Sequence, residues 1–167
     1  MIVVTDSGPL IHLASVKQFP LLKRFFHTLH TIPQVYEEVV AQGEGRAGEL
    51  EVRQALQDRW ILVSTTPGPA LAQRFIAANV SQTDAAVIAC AITRKAALLL
   101  ADDLAVREMA RQDNLAVIGT VGILVQARVE GFVDRLQPLL DQLIATGFYL
   151  DPAGRVYQNA LKRVGER

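Results

Sequence analysis

The sequence predicts a three-layer α/β fold, in which helices cover both faces of a mostly parallel central sheet. Short apolar runs with the character of buried strands alternate with segments of helical periodicity along the chain. Strands separated by helices imply right-handed crossovers and therefore a parallel sheet that is covered on both faces. With 167 residues, half of them hydrophobic, the chain is long enough for one domain with one sizeable core.

The individual elements follow from local signals. Strands are predicted at residues 2–4, 30–32, 60–63, 97–100 and 116–118. Helices are predicted at 10–16, 19–27, from Pro33 onward, and at 49–58, 70–78, 81–94, 104–112 and from about Thr120. A loop at 43–48 and a turn-rich linker at 65–69 separate some of them.

The end of the chain is predicted to be helical. From Phe132 onward the sequence has helical character, and Asp151-Pro152 suits the cap and first turn of the last helix. We therefore predict a main domain at residues 1–131 and a C-terminal helical extension at 132–167. The extension is expected to pack on or beside the main part, so that the whole forms one domain.

Composition narrows the classes of protein that fit. Acidic and basic residues balance at 17 each, which argues against a protein that holds nucleic acid by bulk charge alone. Cys90 is the only cysteine, which favours a reducing compartment. The first residues lack the features of a secretory leader, and no run approaches the ~18 apolar residues of a membrane span. A cytoplasmic protein without a membrane partner is expected.

Carboxylates follow two of the predicted strands. Asp6 comes after the first strand, and Asp102 and Asp103 come after the strand at 97–100. Because functional groups in parallel sheets gather beyond the carboxyl ends of the strands, we expect these side chains to converge. Further acids that could reach this edge lie on two helices: Glu37, Glu38 and Asp84.

Converging carboxylates have a chemical consequence. They repel one another and raise one another's pKa, and a hard divalent cation relieves this repulsion. Mg²⁺ or Mn²⁺ bound by such oxygens polarises a phosphodiester and activates a water for attack. The acidic pattern therefore favours a metal-dependent phosphodiesterase.

The acidic motifs resemble, in order, those of PIN domains. They are Asp6-Ser7, Tyr36-Glu37-Glu38-Val39, Thr83-Asp84-Ala85 and Leu100-Ala101-Asp102-Asp103, followed by the strand-to-helix step at 118–124. The resemblance covers nearly the whole chain and is closest to VapC-like PIN proteins with an extra C-terminal helical tail. Relatives with such a tail usually carry Gly-Glu where Thr83-Asp84 stands, and many PIN domains have a hydroxyl residue at the position of Ala101.

The resemblance implies a Mg²⁺- or Mn²⁺-dependent ribonuclease, the toxin of a type II toxin–antitoxin pair. RNA is then the substrate, a small antitoxin is a partner, and a homodimer is expected. Carried over by position, the catalytic residues are Asp6, Glu38, Asp84 and Asp103. The implied metal ligands are Asp6, Asp84, Asp102 and Asp103. Ser7 would support the site by a hydrogen bond to a metal-bound water or a neighbouring carboxylate.

Structural explanations exist for the same acids. Asp6 suits the N-cap of the helix after Gly8, and Asp102 and Asp103 suit favourable charges at a helix start. The run from Ser81 to Asp84 matches a capping box. Of the two adjacent glutamates, Glu38 adjoins the face shared by Val35 and Val39 better than Glu37 does.

Other polar residues have weaker patterns. Arg46 and Arg53 lie near the predicted site in sequence, and we take it as a hypothesis that they guide the phosphate backbone. The three histidines, at 12, 27 and 30, are separate from the acids in pattern, although His27 and His30 could share a helix face. Structural or surface roles are predicted for them. The match of 43–48 to G-x-G-x-x-G follows a helix, so it predicts no dinucleotide site.

Two other functions compete with the nuclease. A phosphotransfer receiver also places carboxylates at strand ends, but the acceptor Asp after a middle strand and the Lys after the last strand are missing: Ser64-Thr65 and Gly119-Thr120 stand there. A catalytically weak PIN domain that serves as a protein-interaction module is the second alternative. Binding of a divalent ion distinguishes it from the enzyme.

Overall fold

The computed structural model describes residues 1–65, 69–76 and 80–167. Most of the turn-rich linker predicted at 65–69, and the last two residues of the helix predicted at 70–78, lie outside the described residues. In the part that is described, no helix has the length and apolar character that crossing a membrane requires.

Five strands of the described chain form one central sheet. They are β1 Val3–Thr5, β2 Leu29–Thr31, β3 Ile61–Val63, β4 Leu98–Leu100 and β5 Val117–Ile118. Their order is β3-β2-β1-β4-β5, and each neighbouring pair is parallel. The chain winds outward from β1 in one direction and from β4 in the other, so the two strands flank a topological switch point.

Helices connect these strands and cover both faces of the sheet, which confirms the predicted fold class. The helices are α1 Ser7–Ser15, α2 Pro20–Phe26, α3 Pro33–Tyr36, α4 Glu49–Gln57, α5 Pro69–Ile76, α6 Gln82–Thr93, α7 Leu104–Gln112, α8 Thr120–Val129, α9 Gln137–Ala145 and α10 Arg155–Arg163. Among them, α1 contacts α4 and α8, whereas α6 contacts α5 and α7.

One hydrophobic cluster joins the sheet to both sets of helices. The apolar side chains of β1 and β4 lie at its centre, where Val3, Val4, Leu99 and Leu100 are fully buried. The C-terminal helices belong to the same cluster. They contribute Leu139, Leu140, Leu143, Tyr157, Ala160 and Leu161. Burial of this apolar surface is the main force that holds the extension against the rest of the chain.

A carboxylate near the chain end also fixes the extension. Glu166 accepts hydrogen bonds from the backbone N–H groups of Leu136 and Gln137, at 2.8 and 3.0 Å. Its Oε1 also accepts from Nε of Arg128 on α8, at 3.1 Å. These donors lower the pKa of Glu166 against the opposing effect of desolvation, and they connect the last turn to α8 and the start of α9.

The helix predicted after Pro33 departs from regular α geometry. It continues from α3 into a π-helical turn, Glu37–Ala41, in which the N–H of Gln42 bonds to the carbonyl of Glu37. Val39 and Val40 are both buried on this wider turn, while Glu37 and Glu38 are exposed. Periodicity alone could not predict the turn, because the α and π spacings differ by a single residue over this length.

The predicted cap of the last helix was wrong. The helix begins at Arg155 with Gly154 as its N-cap, so Asp151 does not cap it. Asp151 instead accepts a hydrogen bond from the N–H of Ala153, at 2.9 Å, in the turn before the helix. Short-range side-chain bonds of this kind stabilise a turn as well as a cap, and the sequence pattern does not distinguish the two.

Candidate acidic active site

The ends of β1 and β4 meet at the carboxyl edge of the sheet. Thr5 pairs with Leu100 in register, and the N–H of Asp6 donates to the carbonyl of Leu100 at 2.9 Å. A cleft of about 730 Å³ opens at this edge. Its lining includes the carboxylates of Asp6, Asp84, Asp102 and Asp103. The acids that the sequence predicted to converge are therefore brought together.

Asp6 is both a helix cap and the most perturbed acid of the cleft. Its Oδ1 accepts a hydrogen bond from the N–H of Ser7 at 2.8 Å, so Asp6 is the N-cap of α1, as its position in the sequence suggests. The residue is only 7 % exposed, and this burial raises its pKa to about 7, against the opposing bond from Ser7. The charges of Asp84, Glu38 and Asp102 raise it further.

Asp84 enters the cleft from the first turn of α6. Ser81 is the N-cap, and its hydroxyl accepts from the N–H of Asp84 at 3.1 Å, so this part of the predicted capping box is present. Burial raises the pKa of Asp84 and the charge of Asp103 adds to the effect, whereas a side-chain bond with Ser81 lowers it. The capping and site interpretations of this segment are therefore compatible.

Asp102 has both carboxylate oxygens engaged within the protein. Oδ1 accepts from the backbone N–H of Thr120 at 2.6 Å. Oδ2 accepts from the hydroxyl of Thr120 and from Nδ1 of His12, each at 2.7 Å. A Cβ at Gly119 would lie 2.8 Å from Oδ1, so this close approach requires a glycine. Asp102 thereby connects β4 to α1 and α8.

Asp103 is more available to a ligand in the cleft than Asp102 is. It caps α7 through Oδ1, which accepts from the N–H of Val106 at 3.0 Å. Its Oδ2 accepts no hydrogen bond from the described residues, and the side chain is exposed. Its charge acts on Asp84, as the raised pKa of that group shows. Of the adjacent pair, Asp103 is therefore the one whose oxygen faces the open cleft without a partner.

Glu38 lies beside the cleft rather than in its lining. It is exposed on the π-helical turn, in a neighbouring hollow shared with Glu37 and Thr83. Its charge contributes to the raised pKa of Asp6, and that of Glu37 does not. The geometry therefore favours Glu38 of the two glutamates.

The basic residues of the cleft are not those that the sequence indicated. Arg46 lies exposed in the loop before α4, and Arg53 pairs with Glu49 at 3.3 Å; neither lines the cleft. Arg107 on α7 and Arg155 at the start of α10 line it instead. An RNA-binding role for Arg46 and Arg53 stays a prediction.

His12 was wrongly separated from the acids. It bonds to Asp102, and its ring meets Phe148 edge-on at 4.7 Å between centroids. The sequence did contain a signal for His12, because it lies four residues after Gly8, which directly follows the Asp6-Ser7 motif. In the structure Gly8 and His12 both lie beside Oδ2 of Asp102. His27, by contrast, ends α2, while His30 lies in β2, so the two share no helix face.

The donor set of the cleft fits a hard divalent cation. In the ranges that the structure covers, no group of three or more His, Cys, Asp or Glu side chains is placed to hold a metal ion by itself. Mg²⁺ needs no such cage, since it is usually bound by one or two carboxylates and keeps several waters. The carboxylates of Asp6, Asp84 and Asp103 line one cleft. Burial is the main cause of the raised pKa of Asp6 and the neighbouring acidic charges add to it, and a cation beside this carboxylate would offset both effects.

The fold and the cleft together define an α/β protein with an acidic cleft at the carboxyl edge of its parallel sheet. A family model described as DUF3368, PIN domain, matches residues 2–166. The chain therefore belongs to the PIN-domain family, whose members are generally nucleases that use divalent metals. Neither a search of curated proteins nor a search of solved structures found a match.

Proposed function

We propose that this protein is a divalent-metal-dependent endoribonuclease that hydrolyses phosphodiester bonds of RNA with Mg²⁺ or Mn²⁺. One observation carries the proposal: carboxylates from three separate elements line one cleft, and the pKa of the most buried one, Asp6, is raised to about 7. Groups with strongly perturbed pKa values in a cleft are typical of functional sites.

The residues have distinct proposed roles. Of Asp6, Asp84 and Asp103, one or two would bind the metal ion directly and the others through its waters. Asp102 holds the end of β4 against the start of α8 through its bonds to Thr120. A bound Mg²⁺ or Mn²⁺ polarises the phosphodiester and lowers the pKa of the attacking water. Ser7 and Glu38 are proposed to orient water at the two sides of Asp6.

The direct test is an RNA cleavage assay with Mn²⁺ or Mg²⁺. Asp6→Asn and Asp103→Asn should lose cleavage, because each keeps its shape but no longer carries the charge that attracts the metal. Asp134→Asn is the matched control, since Asp134 is an exposed acid outside the cleft. Cleavage by Asp103→Asn at the rate of the wild type would remove Asp103 from the mechanism.

We also propose that the protein is the VapC-like toxin of a type II pair and forms a homodimer. The resemblance of the acidic motifs supports the toxin role. Exposed apolar side chains beside the cleft, at Leu104, Tyr149 and Val156, offer a surface that a small antitoxin could cover. Co-expression with a small protein encoded next to it should restore growth of cells that the protein alone arrests, and light scattering should give the mass of two chains.

One observation favours a second candidate, a non-catalytic PIN domain that binds a partner. The carboxylate of Asp102 already accepts three hydrogen bonds within the protein, which leaves it fewer lone pairs for a metal ion than a free carboxylate has. Calorimetry with Mn²⁺ separates the two candidates. A protein that binds no divalent ion at millimolar concentrations would be the interaction module.

A further inference from the structure

The chain between α9 and α10 forms a wall of the acidic cleft. Phe148, Tyr149 and Leu150 lie on this segment, and Arg155 follows at the start of α10. The same cleft is lined on α7 by Arg107. The cleft therefore combines carboxylates with a second set of aromatic, apolar and basic groups.

Tyr149 presents an unused aromatic face. Its side chain is 97 % exposed, and in the described structure it takes part in no hydrogen bond or ring contact. Its neighbour Phe148 packs edge-on against His12, which bonds to Asp102. The backbone beside Tyr149 is thus connected to the acidic site, while the ring remains open to a ligand. Exposed rings in such a position are suited to stack on nucleic-acid bases.

Arg107 presents an unused donor. Its Nε is buried and has no hydrogen-bond partner, and within the described ranges the guanidinium pairs with no carboxylate. Buried donors are normally satisfied, and the described protein atoms provide no acceptor for this one, so the guanidinium at the cleft wall has donor capacity left for a ligand. One terminal nitrogen lies 3.3 Å from where a Cβ of Gly119 would stand, on the side of that glycine that Asp102 also approaches. A planar guanidinium in this position suits a phosphate oxygen pair.

We propose that Arg107 binds a phosphate of the substrate and that Tyr149 stacks on the base of a neighbouring unpaired nucleotide. The proposal rests on the nuclease function above and adds a substrate-positioning role for the segment between α9 and α10. The acids would hold the cation, and Arg107 and Tyr149 would hold the RNA strand beside it. Arg155, exposed at the same wall, is placed to contact a second phosphate.

The test measures binding separately from cleavage. A fluorescent single-stranded RNA of about ten nucleotides is titrated with protein in Ca²⁺, and a gel confirms that it stays intact. Tyr149→Ala should weaken binding about tenfold or more, and Tyr149→Phe should not. Arg107→Gln should weaken it by a similar factor, with partial recovery in Arg107→Lys. Arg163→Gln, on an exposed position two turns beyond Arg155 in α10, and Leu50→Ala, on exposed α4, are the matched controls.

A ribose-phosphate chain of the same length without bases identifies the stacking. The wild type and Tyr149→Ala should bind this chain equally, while Arg107→Gln should still bind it more weakly. If the wild type cleaves RNA and both variants bind it as the wild type does, the proposed binding roles of Arg107 and Tyr149 are refuted and the nuclease function stands. If the wild type neither binds nor cleaves RNA with any divalent ion, the proposed function fails together with these binding roles.

Discussion

Replacing Asp6 by Asn should stabilise the metal-free protein at alkaline pH. Asn is about as good an N-cap as Asp, so the start of α1 keeps its hydrogen bond from Ser7. What changes is the buried charge. The neutral amide avoids the cost of desolvating a charge, and it does not repel Asp84, Glu38 or Asp102, which all raise the pKa of Asp6 in the wild type.

The magnitude follows from the two pKa values of the carboxyl. Its ordinary value is 3.8 and its folded value is about 7. Between these values the folded state binds more protons than the unfolded state, so the free energy of unfolding falls as the pH rises. The full difference corresponds to about 4 kcal/mol above the folded pKa. This is an upper limit, because water that enters the cleft reduces the cost of the charge.

The assay is urea unfolding with a chelator at about pH 5 and at about pH 8. The advantage of Asp6→Asn over the wild type should be at most about 1.6 kcal/mol at the lower pH and at most about 4 kcal/mol at the higher one. Asp134→Asn, on an exposed residue, should show no such change. Added Mn²⁺ should reverse the order, since it stabilises only the form that binds it. An Asp6→Asn advantage that is the same at both pH values would refute the reasoning.

Three further predictions follow from the contacts around the cleft and the extension. His12→Ala should reduce metal affinity or cleavage about 10- to 100-fold without unfolding the protein. His12→Asn keeps a donor for Asp102, so its metal affinity and cleavage should fall less. An equal loss in the two variants would contradict a positioning role for His12. Gly119→Ala should lower the free energy of unfolding by about 1–3 kcal/mol, because its methyl group would meet Asp102 Oδ1 at 2.8 Å; an unchanged urea midpoint would show that the carboxylate moves freely. Glu166→Gln should cost about 1–3 kcal/mol at neutral pH, and the difference should disappear as the pH falls below 4.5 through the lowered pKa of Glu166; the same difference at acid pH would rule out the charge as its source.

The convergence of the acids could be predicted because it depends on a rule of parallel sheets. The residue that follows each strand of such a sheet lies at the same edge. Correct prediction of two strands was therefore enough to predict that Asp6 and Asp102 converge. The pairing and register of β1 with β4 could not be predicted from the sequence. Together they make these two strands neighbours and bring Asp6 within a hydrogen bond of Leu100.

The distinction between Asp102 and Asp103 could not be read from the sequence. It depends on Thr120 and His12, which come from other elements and bond to Asp102 alone. Arg107 did leave a signal. It follows Asp103 by four residues on α7, a spacing that places two side chains on the same side of a helix.

The aromatic residues between α9 and α10 left no comparable pattern in the sequence. Helical periodicity indicates where α9 and α10 bury their apolar faces, but it does not say where the segment between them runs. Periodicity therefore assigns Phe148 and Tyr149 to a helical tail, whereas in the structure they follow the end of α9 and line the cleft. The π-helical turn that carries Glu38 was missed for a related reason, since one extra residue in a turn leaves the spacing of the buried valines nearly helical.

The pairing of β1 with β4 determines when during synthesis the cleft can exist. Asp6 is synthesised well before its partner strand β4 and before the Thr120 that fixes Asp102. The bond of Glu166 to Arg128 forms later still. Contacts between distant parts of a chain form late and fold slowly. A nascent chain therefore carries its acids well apart, and the complete pocket appears only after β4, Thr120 and α10 have all been synthesised.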